Sequence, residues 1–156
     1  MLIRPTTGSD AYEIVRMVEH GGVFTTDEAR AVEGLLDYYF RTADQDEYLF
    51  ITADEDGTPA GFACYGRIAL TQKNFELNWI ATNPAAVRKG VGTELLKAVE
   101  ELARERGGRF LNLETSSTEP YAAARAFYER HGYTVMATIP DYYSDGDAML
   151  IFRKEL

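Results

Sequence analysis

The sequence predicts an α/β fold: a mixed, mostly antiparallel twisted sheet of about seven strands, with about four helices packed on its faces. Three features predict it. Short runs of β-branched and aromatic residues alternate with longer stretches whose apolar residues recur near a 3.6 period. The string Asp54-Glu55-Asp56-Gly57-Thr58 is hairpin turn chemistry between two strand-like runs, which makes that pair antiparallel. A helical stretch separates the strand-like runs 75–82 and 109–115, so those two should lie parallel. The length of 156 residues suits one domain with a sizeable core.

Residues 1–5 read as a short first strand. Asp10 can cap a helix that runs to about residue 18, with Ile14, Val15 and Val18 inward, and His20-Gly21-Gly22 breaks it. A second helix is expected over about 26–42, capped by Thr25 or Thr26, with acids in its first turn. Ala29, Val32, Leu35, Leu36 and Tyr39 form its stripe. Residues 48–53 and 59–70 are the hairpin strands, and Gly61 inside the second implies a bulge or close packing.

The stretch 76–106 organises the rest. Phe75 to Ala81 is apolar enough for a buried strand, and Asn83-Pro84 stops it, because proline lacks a donor and asparagine tolerates turn geometry. The next helix carries Val91, Leu95, Leu96, Val99, Leu102 and Ala103 on one stripe. Gly107-Gly108 ends it, with Arg104 and Arg106 in the last turn, where the macrodipole favours cations. The loop Arg88-Lys89-Gly90-Val91-Gly92 therefore sits at a helix N-terminus. Unpaired N–H groups there, two glycines that permit close approach and two cations suit a phosphate. A tight turn with solvated cations is the plain alternative. The loop is not a P-loop, since no G-x-x-x-x-G-K-[ST] string exists, and Leu95 occupies the place of the third glycine of a dinucleotide fingerprint.

Residues 109–115 form the next strand. Glu119-Pro120 opens a helix over 121–131 and Gly132 closes it. Strands 133–140 and 148–153 follow, with a long acidic, aromatic loop (141–147) between them.

The segment Val87-Arg88-Lys89-Gly90-Val91-Gly92 resembles the [Q/R]-x-x-G-x-[G/A] loop of the GCN5-related N-acetyltransferases (GNAT), with Val87 as the departure. A second string, from Ala124 to Tyr133 (A-x-x-F-Y-E-R-H-G-Y), is similar to that family's A-x-x-[LF]-Y-x-x-x-G-[FY]. The resemblance is strongest over 57–133. It implies that the parallel strands 75–82 and 109–115 splay, and that the pantetheine arm of acetyl-CoA enters the gap beside the main chain of Ile80, Ala81 and Thr82. It places the phosphates at Val87, Arg88, Lys89, Gly90, Val91, Gly92 and Thr93. Tyr121 stands where the family often has asparagine on the cofactor side. The resemblance implies that Tyr128 protonates the departing thiolate. Glu76, fourteen residues before Gly90, stands in the register of a general base, with Glu114 as second candidate. Strict alternation puts Glu76, Asn78 and Ile80 on one face. The Tyr142-Tyr143 loop resembles that of RimI-like protein N-terminal acetyltransferases.

The formal charge of −9 argues against nucleic acid. Residues 1–86 hold 6 basic and 14 acidic residues and 110–156 hold 4 and 7, whereas 87–109 hold 6 and 4. The one positive segment is the phosphate loop, and the acidic remainder favours a cationic acceptor or serves solubility. No apolar run approaches the ~20 residues of a membrane span, and MLIRPTTGSD has no signal-peptide core. A single Cys64 excludes an internal disulfide and suits a reducing cytoplasm. With His20 and His131 far apart, a transition-metal site is not expected. The expectation is an acetyl-CoA-dependent N-acetyltransferase acting by direct attack of a primary amine in a ternary complex, with a small cationic amine as the expected acceptor. An N-terminal peptide as acceptor and a CoA-binding sensor are the alternatives, and a homodimer is compatible with each.

Overall fold

The computed structural model describes residues 1–85 and 90–156. A seven-stranded sheet runs in the spatial order β1 (Leu2–Pro5), β2 (Leu49–Glu55), β3 (Thr58–Arg67), β4 (Asn74–Thr82), β5 (Phe110–Ser116), β7 (Asp147–Glu155), β6 (Thr134–Ser144). β4 and β5 are parallel, and the other neighbours are antiparallel. The helices are α1 (Ala11–His20), α2 (Thr26–Arg41), α3 (Val91–Glu105) and α4 (Ala122–Arg130).

Each sheet face has its own core. Val91, Leu95, Leu96, Val99 and Ala103 of α3 pack with Tyr128 of α4 on Ile51, Ala63, Tyr65, Phe75, Leu77 and Phe152. On the opposite face, Ile14, Met17 and Val18 of α1 and Ala29, Val32 and Leu36 of α2 cover Phe50, Phe62 and Cys64. Burying each large apolar side chain contributes on the order of 2 kcal/mol, so the helical stripes rather than their propensities fix the layers. Gly61 is close packing: a Cβ there would stand 3.0 Å from Val91 and Leu95 side-chain atoms and 2.9 Å from the Ala81 carbonyl oxygen.

The pairing of β4 with β3 shifts between Cys64 and Tyr65. Cys64 faces Trp79, yet Tyr65 faces Leu77, which leaves Asn78 as the extra residue of a β-bulge. Before the bulge, Phe75 and Leu77 face α3; after it, Ile80 packs on that core while Trp79 and Ala81 pack on the other. Glu76 and Ile80 therefore lie on opposite faces, which corrects the shared face that strict alternation predicts.

The end of the chain also departs from expectation. The 141–147 segment is strand on both sides of a two-residue turn at Asp145-Gly146, with Gly146 at φ 81° and its N–H donating to Asp141 Oδ1 at 2.7 Å. Tyrosines favour strand, and the Asp-Gly pair supplies the positive φ of a tight hairpin. β3 stops at Arg67 instead of continuing to residue 70, because Leu70 turns at φ 67°.

Candidate active site

The parallel pair makes the opening. β4 and β5 are in register only for Asn74–Phe110, Phe75–Leu111 and Glu76–Asn112. Beyond that both strands continue unpaired with each other, β4 to Thr82 and β5 to Ser116. Arg125 of α4 holds the end of β5, donating to the carbonyl oxygens of Ser116 and Thr118, each at 2.8 Å. The bulge at Asn78 adds twist to β4 where the strands part.

The gap leads into a cavity of about 330 Å³ lined by Ile80, Ala81, Thr82, Gly90, Val91, Gly92 and Phe127. Its floor is strand edge and one end is the start of α3. The two long helices begin differently. Thr25 Oγ1 accepts from the Glu28 N–H at 3.2 Å, and the Glu28 carboxylate accepts from the Thr25 N–H at 3.1 Å, so the N-terminus of α2 is closed by a capping box. α3 begins at Gly90, which has φ 94° and no side chain to cap with. No side chain among the described residues caps its first-turn N–H groups, the arrangement that binds an anion. A Cβ at Gly92 would meet only the Phe127 ring, at 3.6 Å. An extended amide chain ending in phosphates fits this set: strand-edge hydrogen bonds for the amides and helix N–H groups for the anion.

Six of the expected cofactor residues, Ile80, Ala81, Thr82, Gly90, Val91 and Gly92, thus come together. Val87, Arg88 and Lys89 lie outside the described residues. Thr93 stands one residue past the cavity lining, with its Oγ1 3.1 Å from His131 Nε2. Tyr121 ends a 3-10 turn before α4, and burial, then the charges of Glu28 and Asp147, raise its pKa. Those neighbours put it toward α2 and the β6–β7 hairpin, away from the cavity lining. Phe127 was missed. Its signal was present in the A-x-x-F-Y string, but a motif match does not say which aromatic faces the cavity.

Tyr128 is 8% exposed, and its ring lies 5.4 Å from Phe127, 6.0 Å from Tyr133 and 6.1 Å from Phe152. Burial pushes its pKa up to about 12. Its hydroxyl has no hydrogen-bond partner among the described residues. The only fully enclosed side-chain N or O atom without a partner among them is Arg153 Nε, so the Tyr128 hydroxyl keeps an open side. A neutral, unspent O–H is a proton donor in waiting.

On the α1/α2 face, Glu76 sits opposite Gly66 of β3 and Asn112 of β5. Burial, then the charge of Glu114, raise its pKa above the ordinary 4.5. No ion-pair partner for it exists among the described residues. Glu114 is exposed, two residues beyond Asn112 on the same face. Tyrosines border these carboxylates. Tyr48 is raised by burial and by the charges of Glu47 and Glu76. Tyr143 is pushed up to about 12 by burial and then by Glu114. Tyr38 stands edge-on to Tyr48 at 6.0 Å, whereas Tyr39 packs on the buried Phe50 at 5.5 Å as core. Cys64 is buried and its pKa is raised by that burial, so it is no nucleophile at neutral pH. Among the described residues no group of His, Cys, Asp and Glu side chains could hold a metal, and no helix is long and apolar enough to cross a membrane.

The family model of the acetyltransferase (GNAT) family matches residues 13–133. The chain is 31% identical over 108 residues to the uncharacterised N-acetyltransferase YsnE of Bacillus subtilis, covering 69% of this chain and 70% of that protein. A crystal structure from Desulfovibrio desulfuricans, attributed to the GNAT acetyltransferases, superposes with TM-score 0.91 at 38% identity, covering 99% and 98% of the two chains. An aminoglycoside 6′-N-acetyltransferase complexed with coenzyme A shares the fold at TM-score 0.76 and 16% identity, over 99% and 97%. Splayed strands, an uncapped helix start and a free buried tyrosine thus meet in a family match that spans most of the chain, and the protein belongs to the GNAT family of acetyl-CoA-dependent N-acetyltransferases.

Proposed function

We propose that the protein transfers the acetyl group of acetyl-CoA to a primary amine on a small cationic acceptor, by direct attack in a ternary complex. The observation that carries this reading is the parting of β4 from β5 after Glu76–Asn112, which leaves an opening in the sheet beside the cavity at the start of α3. Acetyl-CoA lies along Ile80, Ala81 and Thr82, with its phosphates at Gly90 to Gly92 and the neighbouring Val87, Arg88 and Lys89. The acceptor approaches from the α1/α2 face, where Glu76, Glu114, Tyr48 and Tyr143 offer negative charge and aromatic faces to an ammonium.

Glu76 takes a proton from the ammonium, directly or through water, and its raised pKa brings it nearer to the operating pH of a general base. The amine lone pair then bonds to the thioester carbon. A main-chain N–H near Ile80 faces the developing oxyanion. As the C–S bond breaks, its electron pair goes to sulfur and the Tyr128 hydroxyl supplies the proton; the second proton lost by the new amide nitrogen restores that hydroxyl, directly or through water. Glu114 attracts and orients the cation.

A second reading, an N-terminal peptide as acceptor, is favoured by Tyr142 and Tyr143, which are 55% and 48% exposed along the β6–β7 hairpin. Thiol release from acetyl-CoA, measured across diamines, aminoglycosides and short N-terminal peptides, separates the two. Turnover with the cations supports the proposal; turnover confined to peptides replaces it; CoA binding without turnover on any acceptor favours a sensor. Gly92→Glu should abolish CoA binding in calorimetry while leaving the melting curve intact, since the added Cβ has room and the added carboxylate repels phosphate. Unchanged affinity would remove the start of α3 from the site.

A further inference from the structure

We infer that His131 is a positioning residue for the cofactor cavity: by bonding Phe127 and Thr93 at once, it holds the α4 wall against the anion-binding end of α3. This rests on the reading of that cavity as the CoA site.

His131 follows α4 directly. Its Nδ1 lies 2.7 Å from the Phe127 carbonyl oxygen and its Nε2 lies 3.1 Å from Thr93 Oγ1. Its ring centroid is 4.4 Å from that of Phe127. A carbonyl oxygen can only accept, so Nδ1 carries the hydrogen. In the neutral ring Nε2 is then an acceptor, and the Thr93 hydroxyl must donate to it. Two consequences follow for the cavity. The Thr93 proton is spent on α4, so the hydroxyl has none to give a phosphate, and the anion is left to the main-chain N–H groups of α3. The Phe127 ring, which lines the cavity and faces Gly92, is braced from behind by the imidazole.

The imidazole is not needed to end the helix. The His131 N–H donates to the carbonyl oxygens of Phe127 and Tyr128, Gly132 N–H to Glu129 and Tyr133 N–H to Tyr128, so main chain alone closes α4. What the side chain adds is a link between two elements that are distant in sequence and adjacent at the cavity.

Two-bond ¹⁵N–¹H correlation on the wild-type protein, at a pH where His131 is neutral, should give the Nδ1–H tautomer for His131; the Nε2–H tautomer would overturn the link. Calorimetry with CoA should give a Kd about three- to tenfold weaker for His131→Ala and for Thr93→Val. The double variant should be no weaker than either single, with kcat at saturating acetyl-CoA held within about twofold. Additive losses, or a fall in kcat at unchanged Kd, would overturn the inference. Wild-type protein that fails to bind CoA would instead refute the cavity's assignment, and the tautomer would still decide whether the link exists.

Discussion

Asp10 and Glu76 are both carboxylates set largely into the protein, at opposite ends of the sheet's α1/α2 face, and their surroundings differ in kind. Asp10 is 3% exposed and ringed by donors: Arg4 at 2.7 and 3.0 Å and the Thr7 N–H at 2.8 Å. The hydrogen bonds from Arg4, then those from Thr7, overcome its burial and hold its pKa at about 2, below the ordinary 3.8. Glu76 has burial and a like charge, and no cation, so its pKa moves the other way. The same contrast divides two neighbouring tyrosines. Tyr133 donates to Glu100 at 2.9 Å, and Lys154 donates to the same oxygen at 2.9 Å. Tyr128, 6.0 Å away ring to ring, has no such partner. Where the protein needs a polar group for architecture it satisfies it. Where it leaves Glu76 and the Tyr128 hydroxyl without a partner among the described residues, chemistry is the reason that fits their location.

The largest expected effect sharpens the tyrosine pair. Tyr128→Phe should lower kcat by about ten- to a thousandfold with little change in CoA affinity. Tyr133→Phe should leave kcat within about twofold and cost about 1 kcal/mol of stability for its lost hydrogen bond. Equal rate losses in both would break the comparison. Next, Asp10→Ala leaves the Arg4 guanidinium with Asp54 as its carboxylate partner and the Thr7 N–H without its acceptor, and should cost about 2 kcal/mol at neutral pH in denaturant titrations. Because the folded pKa is depressed, that contribution is present above the unfolded value near 3.8 and disappears as pH falls through about 2. A penalty that persisted at the lowest pH would mean packing rather than charge.

Glu76→Gln should act oppositely and more weakly on stability. A raised folded pKa means that stability is fully present below the ordinary 4.5 and is lost as pH rises through the folded value. The amide removes that loss, so the variant should melt higher than wild type at pH 8 and level with it at pH 4. It should also displace the acidic limb of the pH–rate profile. An unmoved limb would transfer the base to Glu114 or to solvent.

Much of this was legible in the residues. The 3.6-period stripe of Val91, Leu95, Leu96 and Val99 reports a buried helix wherever it occurs, and the glycines ahead of it mark a helix start with no side chain to cap it. Tyr128 is singled out as a candidate by its motif neighbours. The neighbours of Glu76 were not legible, because which face a strand residue meets depends on register, and no local pattern around Asn78 announces a bulge. The 141–147 segment read as a loop because its acidic residues dominate its composition, while the tyrosines that make it strand were assigned to recognition. His131 carried no signal at all: its two partners, at 93 and 127, are joined only by the fold.

The extra residue at position 78 also bears on how this gene can vary. Removing one residue from a surface loop usually shortens a connection and nothing more. Removing Asn78 would join Leu77 to Trp79, which already face opposite sides, so alternation from Phe75 to Thr82 would become unbroken with every residue on the side it now occupies. Trp79 would stay with the helices that pack on Phe50 and Phe62, and Ile80 would stay toward α3. A single-codon deletion there would leave both cores in place and remove only the bulge, and with it the added twist where β4 parts from β5.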